Sequence, residues 1–414
     1  MNVDSFKNVC VVGFGRSGFY LVELLLKLGK KARVTEEKNA NFFSSRLVNK
    51  LRRLGVEFEF GSHTDRFIRK SDIIVVSPGV DTKKSLVSGI AKANNIPVVG
   101  EIEFASWFTK SKIAAITGTN GKTTTTFLTY RVIKSIKPNV YLAGNIGMPL
   151  SCYVLSAKPK DIIILELSSF QLENIIEFRP YVGCVLNIEP DHLDRYYDFY
   201  EYTHAKLNIF RNQLSDDWAL LNKNMFGIQE IARSIKSKII YFDNELLNPN
   251  YSAVYRIAHV FGAAKTDCMK VISGFNGLPH RLQLVKKIKG VVFINDSKAT
   301  NPASTVWALK NIKPPIVLIA GGKDKGLDYS AVSPYFKKIV KVNLFGEAAH
   351  KIKSSLKDRG RISLFNSLEE AVKDAYYISR KGTTVLFSPM CSSFDMFPNY
   401  IQRGNKFIEI VNHL

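Results

Sequence analysis

Residues 113–126 read Ile113-Ala-Ala-Ile-Thr-Gly-Thr-Asn-Gly-Lys-Thr-Thr-Thr-Thr126. An apolar run, Ile113 to Ile116, gives way to Gly118 and Gly121, and Lys122 and Thr123 follow at once. A strand, a phosphate-cradling turn and a helix start read this way. The turn amides and the helix N-terminus attract an anion, the lysine reaches β- and γ-phosphates, and the threonine hydroxyl ligates Mg²⁺. A full Walker A motif would need glycine at position 116, where Ile116 stands, so the match is to the shorter Gly118-Thr119-Asn120-Gly121-Lys122-Thr123. It predicts a bound nucleoside triphosphate.

The same unit, a β-branched run leading through a glycine turn into a helix, occurs on both sides of this stretch, which is the look of parallel α/β folding. Upstream the strands read Val9–Val12, Ala32–Thr35, Ile73–Val76 and Pro97–Val99, with a helix over 17–28 stopped by Gly29. Ile113–Ile116, Ile162–Leu165 and Val182–Leu186 supply the middle strands, and Val291–Ile294, Ile316–Ile319, Val342–Phe345 and Thr384–Phe387 the last ones. The turn-rich Asn244–Tyr251 reads as a loop inside the middle part. Three α/β domains are expected, over 1–100, 101–277 and 278–414.

Composition narrows the function classes. With 414 residues, 46% hydrophobic and 23% charged, the chain is an ordinary globular protein and neither disordered nor fibrous. No uncharged apolar run reaches the ~18 residues of a spanning helix, and Met1–Lys7 is too polar to open a secretory signal. Five scattered cysteines, with no C-x-x-C pair, exclude a disulfide framework and fit a reducing cytoplasm. Lysines and arginines outnumber acids 58 to 36, a net +22, but they are spread along the chain. Clusters such as Lys50-Leu51-Arg52-Arg53 read as a solvated helix face. No nucleic-acid signature accompanies the charge, so neither nucleic acid nor membrane insertion is expected.

Gly13-Phe14-Gly15-Arg16-Ser17-Gly18 opens the first helix, and Glu36 ends the next strand about twenty residues on. By itself this is the dinucleotide fingerprint, compatible with NAD(P), with another nucleotide diphosphate, or with no more than a tight turn. In the middle segment two strands end in polar groups, Glu166-Leu-Ser-Ser169 and Asn187-Ile-Glu-Pro-Asp-His192. Strand ends face the ligand crevice of an open parallel sheet, which places Glu166 and His192 near the phosphate loop, where they could serve a divalent ion. The plainer alternatives are a surface acid and a satisfied loop histidine. Asp191, Asp194 and Arg195 read as braces of that turn. Lys206, on a helical stretch, reads from its spacing as an ordinary helical lysine. Downstream, Asp296-Ser-Lys-Ala-Thr-Asn-Pro302, Gly321-Gly-Lys-Asp-Lys-Gly326 and Ser388-Pro-Met-Cys-Ser-Ser-Phe-Asp395 all lie at strand ends. Thr300 and Asn301 could simply cap a helix. Lys298 could bind a carboxylate or a phosphate. Three polar strand-end loops in one domain suggest a second face of a site.

Together these motifs resemble the Mur ligases, over essentially the whole chain. Gly118–Thr124 marks the wider group that includes the folylpolyglutamate ligases. ELSSFQLE (166–173), DHLDRY (191–196), DSKATN (296–301) and SPMCSSFDMF (388–397) look like the D-glutamate-adding branch. The resemblance implies three domains: a Rossmann-like N-terminal one, a central P-loop-type ATPase with a mostly parallel sheet, and a Rossmann-like C-terminal one. It implies a cytoplasmic, ATP-dependent amide ligase of peptidoglycan precursor synthesis. Such an enzyme adds D-glutamate to UDP-N-acetylmuramoyl-L-alanine through an acyl phosphate, with these small-molecule substrates as its partners and a monomeric state.

The resemblance also assigns residues. The N-terminal loop would take UDP rather than NAD, with Gly15, Arg16, Ser17, Glu36, Lys38, Ser77 and Gly79 around the nucleotide, and with Asn145 and His192 at the muramoyl end. ATP would meet Gly118, Thr119, Asn120, Gly121, Lys122, Thr123, Thr124 and Asn250, and from the C-terminal domain Arg281, Asp296 and Lys325. Lys298, Thr300, Ser393 and Phe394 would seat D-glutamate. Two Mg²⁺ sites would draw on Thr123 and Glu166, and on His192 and Lys206, the last carrying carbon dioxide as a carbamate. Lys122, His192 and Lys206 would be the catalytic set, and the C-terminal domain would close on substrate. Two departures stand out: Asn250-Tyr-Ser-Ala253 where relatives often have Asn-x-x-Asn, and Glu36-Glu-Lys38 where well-known members have Asp-Thr-Arg. A sister ligase adding another amino acid, and a non-enzymatic NAD(P)-binding module, are the rival readings.

Overall fold

The computed structural model describes residues 3–82, 85–192, 195–356 and 359–414. Asp194 lies outside them. The chain is mixed α/β with three sheets. In the first, five parallel strands run in the order Glu57–Phe60, Lys31–Glu36, Asn8–Val12, Ile73–Val76, Val98–Gly100. The central strands are rich in β-branched residues and, Asn8 apart, buried, as strands covered on both faces are. Helix Arg16–Lys27 leaves the first strand, and Gly29, at φ +66°, follows its end. The strand order reverses between Asn8–Val12 and Ile73–Val76, which opens a crevice at their carboxyl ends.

The second sheet is also parallel, in the order Lys238–Phe242, Trp218–Asn222, Val182–Val185, Lys112–Thr117, Ile162–Glu166, Val140–Gly144. The third runs Gln283–Ile288, Val291–Asn295, Thr384–Phe387, Ile316–Gly321, Ile339–Phe345, Ile362–Phe365, and only its first pair is antiparallel.

Contacts divide the chain into two compact units, Met1–Ile188 with Tyr200–Gly274, and Glu189–Phe199 with Phe275–Leu414. In the first unit Val9, Val75, Phe104, Ile163 and Leu221 belong to one apolar cluster. Helix Glu101–Ser106 joins its first two sheets through that cluster and through Glu103. The Glu103 carboxylate is fully buried and accepts the amides of Ile176, Glu177 and Phe178 and the Trp107 indole at 2.7–3.0 Å. In the second unit, alternate residues of one strand serve opposite faces. Ile316, Leu318 and Ala320 pack on one side, Val317 and Ile319 on the other, as the period of two requires.

Several elements differ from the sequence expectations, each for a local reason. Glu57–Phe60, Val140–Gly144, Lys238–Phe242, Gln283–Ile288 and Ile362–Phe365 are strands that hydropathy did not single out. All five lie at sheet edges, where half-exposed strands mix charged, polar and apolar residues. Trp218–Asn222 is interior, but its Ala-Leu-Leu carries no β-branched signal. The expected loop over 244–251 ends early. Asn248 caps a helix, Pro249–Val260, by accepting the Tyr251 amide at 3.1 Å, so Asn250 sits in its first turn. Helix Ser45–Arg53 buries Val48 and Leu51 and turns its basic residues outward. Among the described residues no helix is long and apolar enough to cross a membrane.

Candidate active site

Strand Lys112–Thr117 lies centrally in its sheet, between Val182–Val185 and Ile162–Glu166, so the loop that leaves it is flanked by both neighbouring strand ends. Helix Lys122–Ile136 starts on Gly121, whose φ of +82° is the left-handed conformation that favours glycine. The loop is braced from Asn187: its carbonyl accepts the Thr119 amide at 3.0 Å, and its side chain exchanges hydrogen bonds with Asn120 at 2.8 and 3.0 Å. Lys122 folds back so that Nζ donates to the carbonyls of Gly118 and Thr119 at 2.7 and 2.9 Å. The Asn250 side chain lies directly over Gly121: a Cβ added there would come within 2.6 Å of Nδ2.

Glu166 ends its strand beside this loop and is 1% exposed. Its Oε1 accepts from Asn145 Nδ2 at 2.9 Å and from the Thr123 hydroxyl at 3.4 Å, while Oε2 is buried with no hydrogen-bond partner. A carboxylate oxygen left in this state is costly, and a hard divalent cation would satisfy it. The donors are oxygens, as Mg²⁺ prefers, and few, as suits an ion that keeps waters and substrate phosphates as its other ligands. Among the described residues no group of three or more His, Cys, Asp or Glu forms a metal cluster. Lys206, on helix Phe199–Leu207, is 1% exposed; its Nζ donates to the Gly118 carbonyl at 3.0 Å and sits 4.5 Å from the centre of the Tyr202 ring. The Tyr202 hydroxyl in turn meets the Thr119 hydroxyl at 3.0 Å. Lys206 is therefore tied to the phosphate loop, which its helical spacing did not indicate.

The N-terminal glycine loop occupies the crevice of its own sheet. The Glu36 carboxylate accepts the Phe14 amide at 2.6 Å and the Lys38 amide at 3.0 Å, and the Ser77 hydroxyl donates to the Gly13 carbonyl at 3.1 Å. Glu36 thus shapes the loop it was expected to accompany. Gly15, Arg16, Lys38 and Gly79 are exposed at this crevice and Ser17 is partly so. Arg16 reaches Met148 Sδ at 2.7 Å, three residues beyond Asn145.

In the second unit Glu189–His192 group with the residues of the C-terminal sheet. Asp191 accepts from Asn301 Nδ2 at 2.9 Å and pairs with Lys325 at 3.2 Å, and the His192 ring lies 3.7 Å from it. Burial alone would raise the Asp191 pKa; the Lys325 and His192 charges and the bonds from Asn301 and Lys325 outweigh it and bring it down to about 2. Asp296 behaves oppositely. Burial pushes it up to about 7, against hydrogen bonds from the Ser388 hydroxyl at 2.9 Å and the Leu282 amide at 3.2 Å and the charge of Arg281. Lys298 Nζ stands 3.8 Å from the centre of the Tyr400 ring. Asn301 caps helix Pro302–Asn311, so the capping reading and the Asp191 contact hold together. Thr300 is partly buried, Ser393 buried, and Phe394 69% exposed.

The structure thus gathers Gly118–Thr123, Asn145, Glu166, Lys206 and Asn250 at one place in the first unit, and His192, Asn301 and Lys325 around Asp191 in the second. Asn187 and Tyr202, which hold the phosphate loop, were not singled out from sequence. Asn187 opens the 187–192 strand end, and Tyr202 lies one helical turn before Lys206.

The sequence and the fold are similar to those of known proteins. The Mur ligase MurD-like N-terminal domain matches residues 7–100, the Mur ligase middle domain 116–274, and the Mur ligase glutamate ligase domain 280–391. A UDP-N-acetylmuramoylalanine--D-glutamate ligase of Caldanaerobacter subterraneus subsp. tengcongensis is 38% identical, covering 99% of this chain and 98% of its own. A protein of the same name from Salinibacter ruber is also 38% identical, covering 98% and 97%. Among solved structures, the UDP-N-acetylmuramate-alanine ligase MurC of Thermotoga maritima superposes with a TM-score of 0.59 at 17% identity, covering 99% of both chains. MurF of Acinetobacter baumannii gives 0.62 at 14% identity, covering 97% of this chain and 93% of its own. At such identities the likeness is one of fold.

Proposed function

Because this chain belongs to the Mur ligase family, we propose that it is the ATP-dependent ligase that joins D-glutamate to UDP-N-acetylmuramoyl-L-alanine in peptidoglycan precursor synthesis. The observation that carries the reading is the 38% identity to ligases of that name over 99% of the chain. The buried, unpartnered Glu166 Oε2 beside a glycine-rich phosphate loop supports the ATP and Mg²⁺ chemistry.

The chemistry has two steps. The substrate L-alanyl carboxylate attacks the γ-phosphorus of ATP, releasing ADP and leaving an acyl phosphate, which makes a poor electrophile reactive. The amine of D-glutamate then attacks the acyl carbon, and phosphate leaves from the tetrahedral adduct as the amide forms. Negative charge gathers on the transferred group in the first step and on the former carbonyl oxygen in the second, so fixed positive groups accelerate both. The amides of Gly118–Thr124 and the Lys122 ammonium, once turned from the loop carbonyls, are suited to the ATP phosphates. Asn250 braces Gly121 from the side, which suits a role at the same nucleotide. Mg²⁺ bound by Glu166 and Thr123 would neutralise phosphate charge and hold the phosphates in line.

Lys206 is proposed to carry a carbamate and, with His192, to serve a second Mg²⁺. Its Nζ is buried against the phosphate loop, where a carbamate would turn a cation into an anionic oxygen ligand. Asn145, which holds Glu166, fits a contact to the muramoyl substrate. Gly15, Arg16, Ser17, Glu36, Lys38, Ser77 and Gly79 are assigned to UDP, Arg281, Asp296 and Lys325 to ATP, and Lys298, Thr300, Ser393 and Phe394 to D-glutamate. Domain limits of 1–100, 101–277 and 278–414, a monomeric state and a cytoplasmic location complete the reading. Mass spectrometry of the nucleotide-sugar product tests it: a species heavier by one glutamyl residue forms with D-glutamate and not with L-glutamate. A product carrying a different amino acid would assign the chain to a sister step.

A further inference from the structure

Arg403 is among the largest fully buried side chains, and no carboxylate lies within ion-pairing distance of it among the described residues. A buried guanidinium without a counter-ion is expensive unless its donors are satisfied. Here four hydrogen bonds do this, all to two loops. Nε donates to the Ser297 hydroxyl at 3.2 Å and Nη2 to the Ser297 carbonyl at 2.9 Å; Nη2 also reaches the Cys391 carbonyl, and Nη1 the Ser392 carbonyl, both at 3.0 Å. The Ser392 carbonyl accepts the Lys323 amide as well, at 3.0 Å, so the 321–326 loop is held to the same node. Gly322 lets that loop approach: a Cβ there would stand 2.3 Å from the Ser392 carbonyl oxygen and 2.9 Å from Arg403 Nη1. One side chain therefore fixes all three polar strand-end loops of the C-terminal sheet. Lys298 follows Ser297 directly, and Ser393 and Phe394 follow Ser392.

We infer that Arg403 is a positioning residue for amino-acid recognition, setting Lys298 and Thr300 on one loop against Ser393 and Phe394 on the other so that they form a single seat for a dicarboxylate. The inference rests on the assignment of those four residues to D-glutamate. Arg403 touches no substrate; it acts through the loops. A planar five-donor fork can bind acceptors on two loops together, which a lysine ammonium on the same stem cannot reproduce.

The test measures the KM of each substrate for the wild type, Arg403→Lys and Arg403→Met, with circular dichroism and urea midpoints as folding controls. Arg403→Met leaves the Ser297 and Cys391 carbonyls without their donor and should lower the urea midpoint, so Arg403→Lys, which keeps the charge and a donor, is the second variant that separates positioning from folding. Both should raise the KM for D-glutamate tenfold or more and the KM for ATP by less, since Asp296 and Lys325 lie on the same loops, while the KM for the UDP-sugar stays within about twofold. Arg403→Ala should regain D-glutamate affinity when guanidinium is added at millimolar, non-denaturing concentration. An unchanged KM for D-glutamate, or a parallel rise in all three constants, would overturn the positioning role. A wild-type enzyme that ignores D-glutamate would instead overturn the parent reading, and with it this one.

Discussion

Replacing Gly121 by alanine tests the phosphate loop at the point where backbone and Asn250 meet. Two costs follow from the geometry. A non-glycine residue at φ +82° pays about 1–2 kcal/mol. The new Cβ would stand 2.6 and 2.7 Å from Asn250 Nδ2 and Oδ1, so that side chain must swing away, losing its contact with the loop for roughly a further 1 kcal/mol. If the binding-competent loop is disfavoured by ~2–3 kcal/mol in all, apparent ATP affinity falls about 30- to 150-fold, since 1.4 kcal/mol is a factor of ten. Asn250→Ala alone should cost about tenfold or less. The combination Gly121→Ala with Asn250→Ala removes the clash and keeps only the backbone strain, so it should bind ATP no worse than Gly121→Ala alone. The assay is the KM for ATP at saturating levels of the other substrates, with urea midpoints to exclude global unfolding. Strictly additive losses in the double variant would show that Asn250 and Gly121 do not couple, and would refute the argument.

Other outcomes follow from the same geometry. Lys206→Ala should lose most activity and regain part of it with added short carboxylates; full activity of the unsupplemented variant would remove Lys206 from the mechanism. Glu166→Gln keeps the acceptor to Asn145 and Thr123 but removes the charge, so the Mg²⁺ concentration for half-maximal rate should rise tenfold or more, and an unshifted Mg²⁺ curve would contradict the metal assignment. Asp296 has its pKa raised from 3.8 to about 7, so the folded state holds a proton that the unfolded chain releases. Its contribution is fully present below about pH 4 and lost as pH rises through 7, by as much as about 4 kcal/mol at 1.36 kcal/mol per unit. Urea midpoints of Asp296→Asn relative to wild type should therefore rise across this window; parallel profiles would refute the buried protonated acid.

The central strands were legible because burial on both faces selects unbroken β-branched runs, as in Ile73–Val76 and Thr384–Phe387. Edge strands such as Glu57–Phe60 were not, since a half-exposed strand has no need of such a run. The phosphate loop was legible because its chemistry needs glycines and a lysine at fixed spacing. Glu36 was found at its predicted strand end, yet its carboxylate is spent on the Phe14 and Lys38 amides, a partner that spacing does not reveal. Lys206 and Arg403 show the general difficulty. A buried cation reads in sequence like any surface one, and only the fold shows that its acceptors are carbonyls brought together from distant loops.

The most direct test is phosphate release from ATP in the presence of Mg²⁺, carbon dioxide and UDP-N-acetylmuramoyl-L-alanine, with D-glutamate, L-glutamate or neither. Sustained release that requires both the UDP-sugar and D-glutamate is the predicted result. Release that is indifferent to D-glutamate, or none under these conditions, would contradict the account.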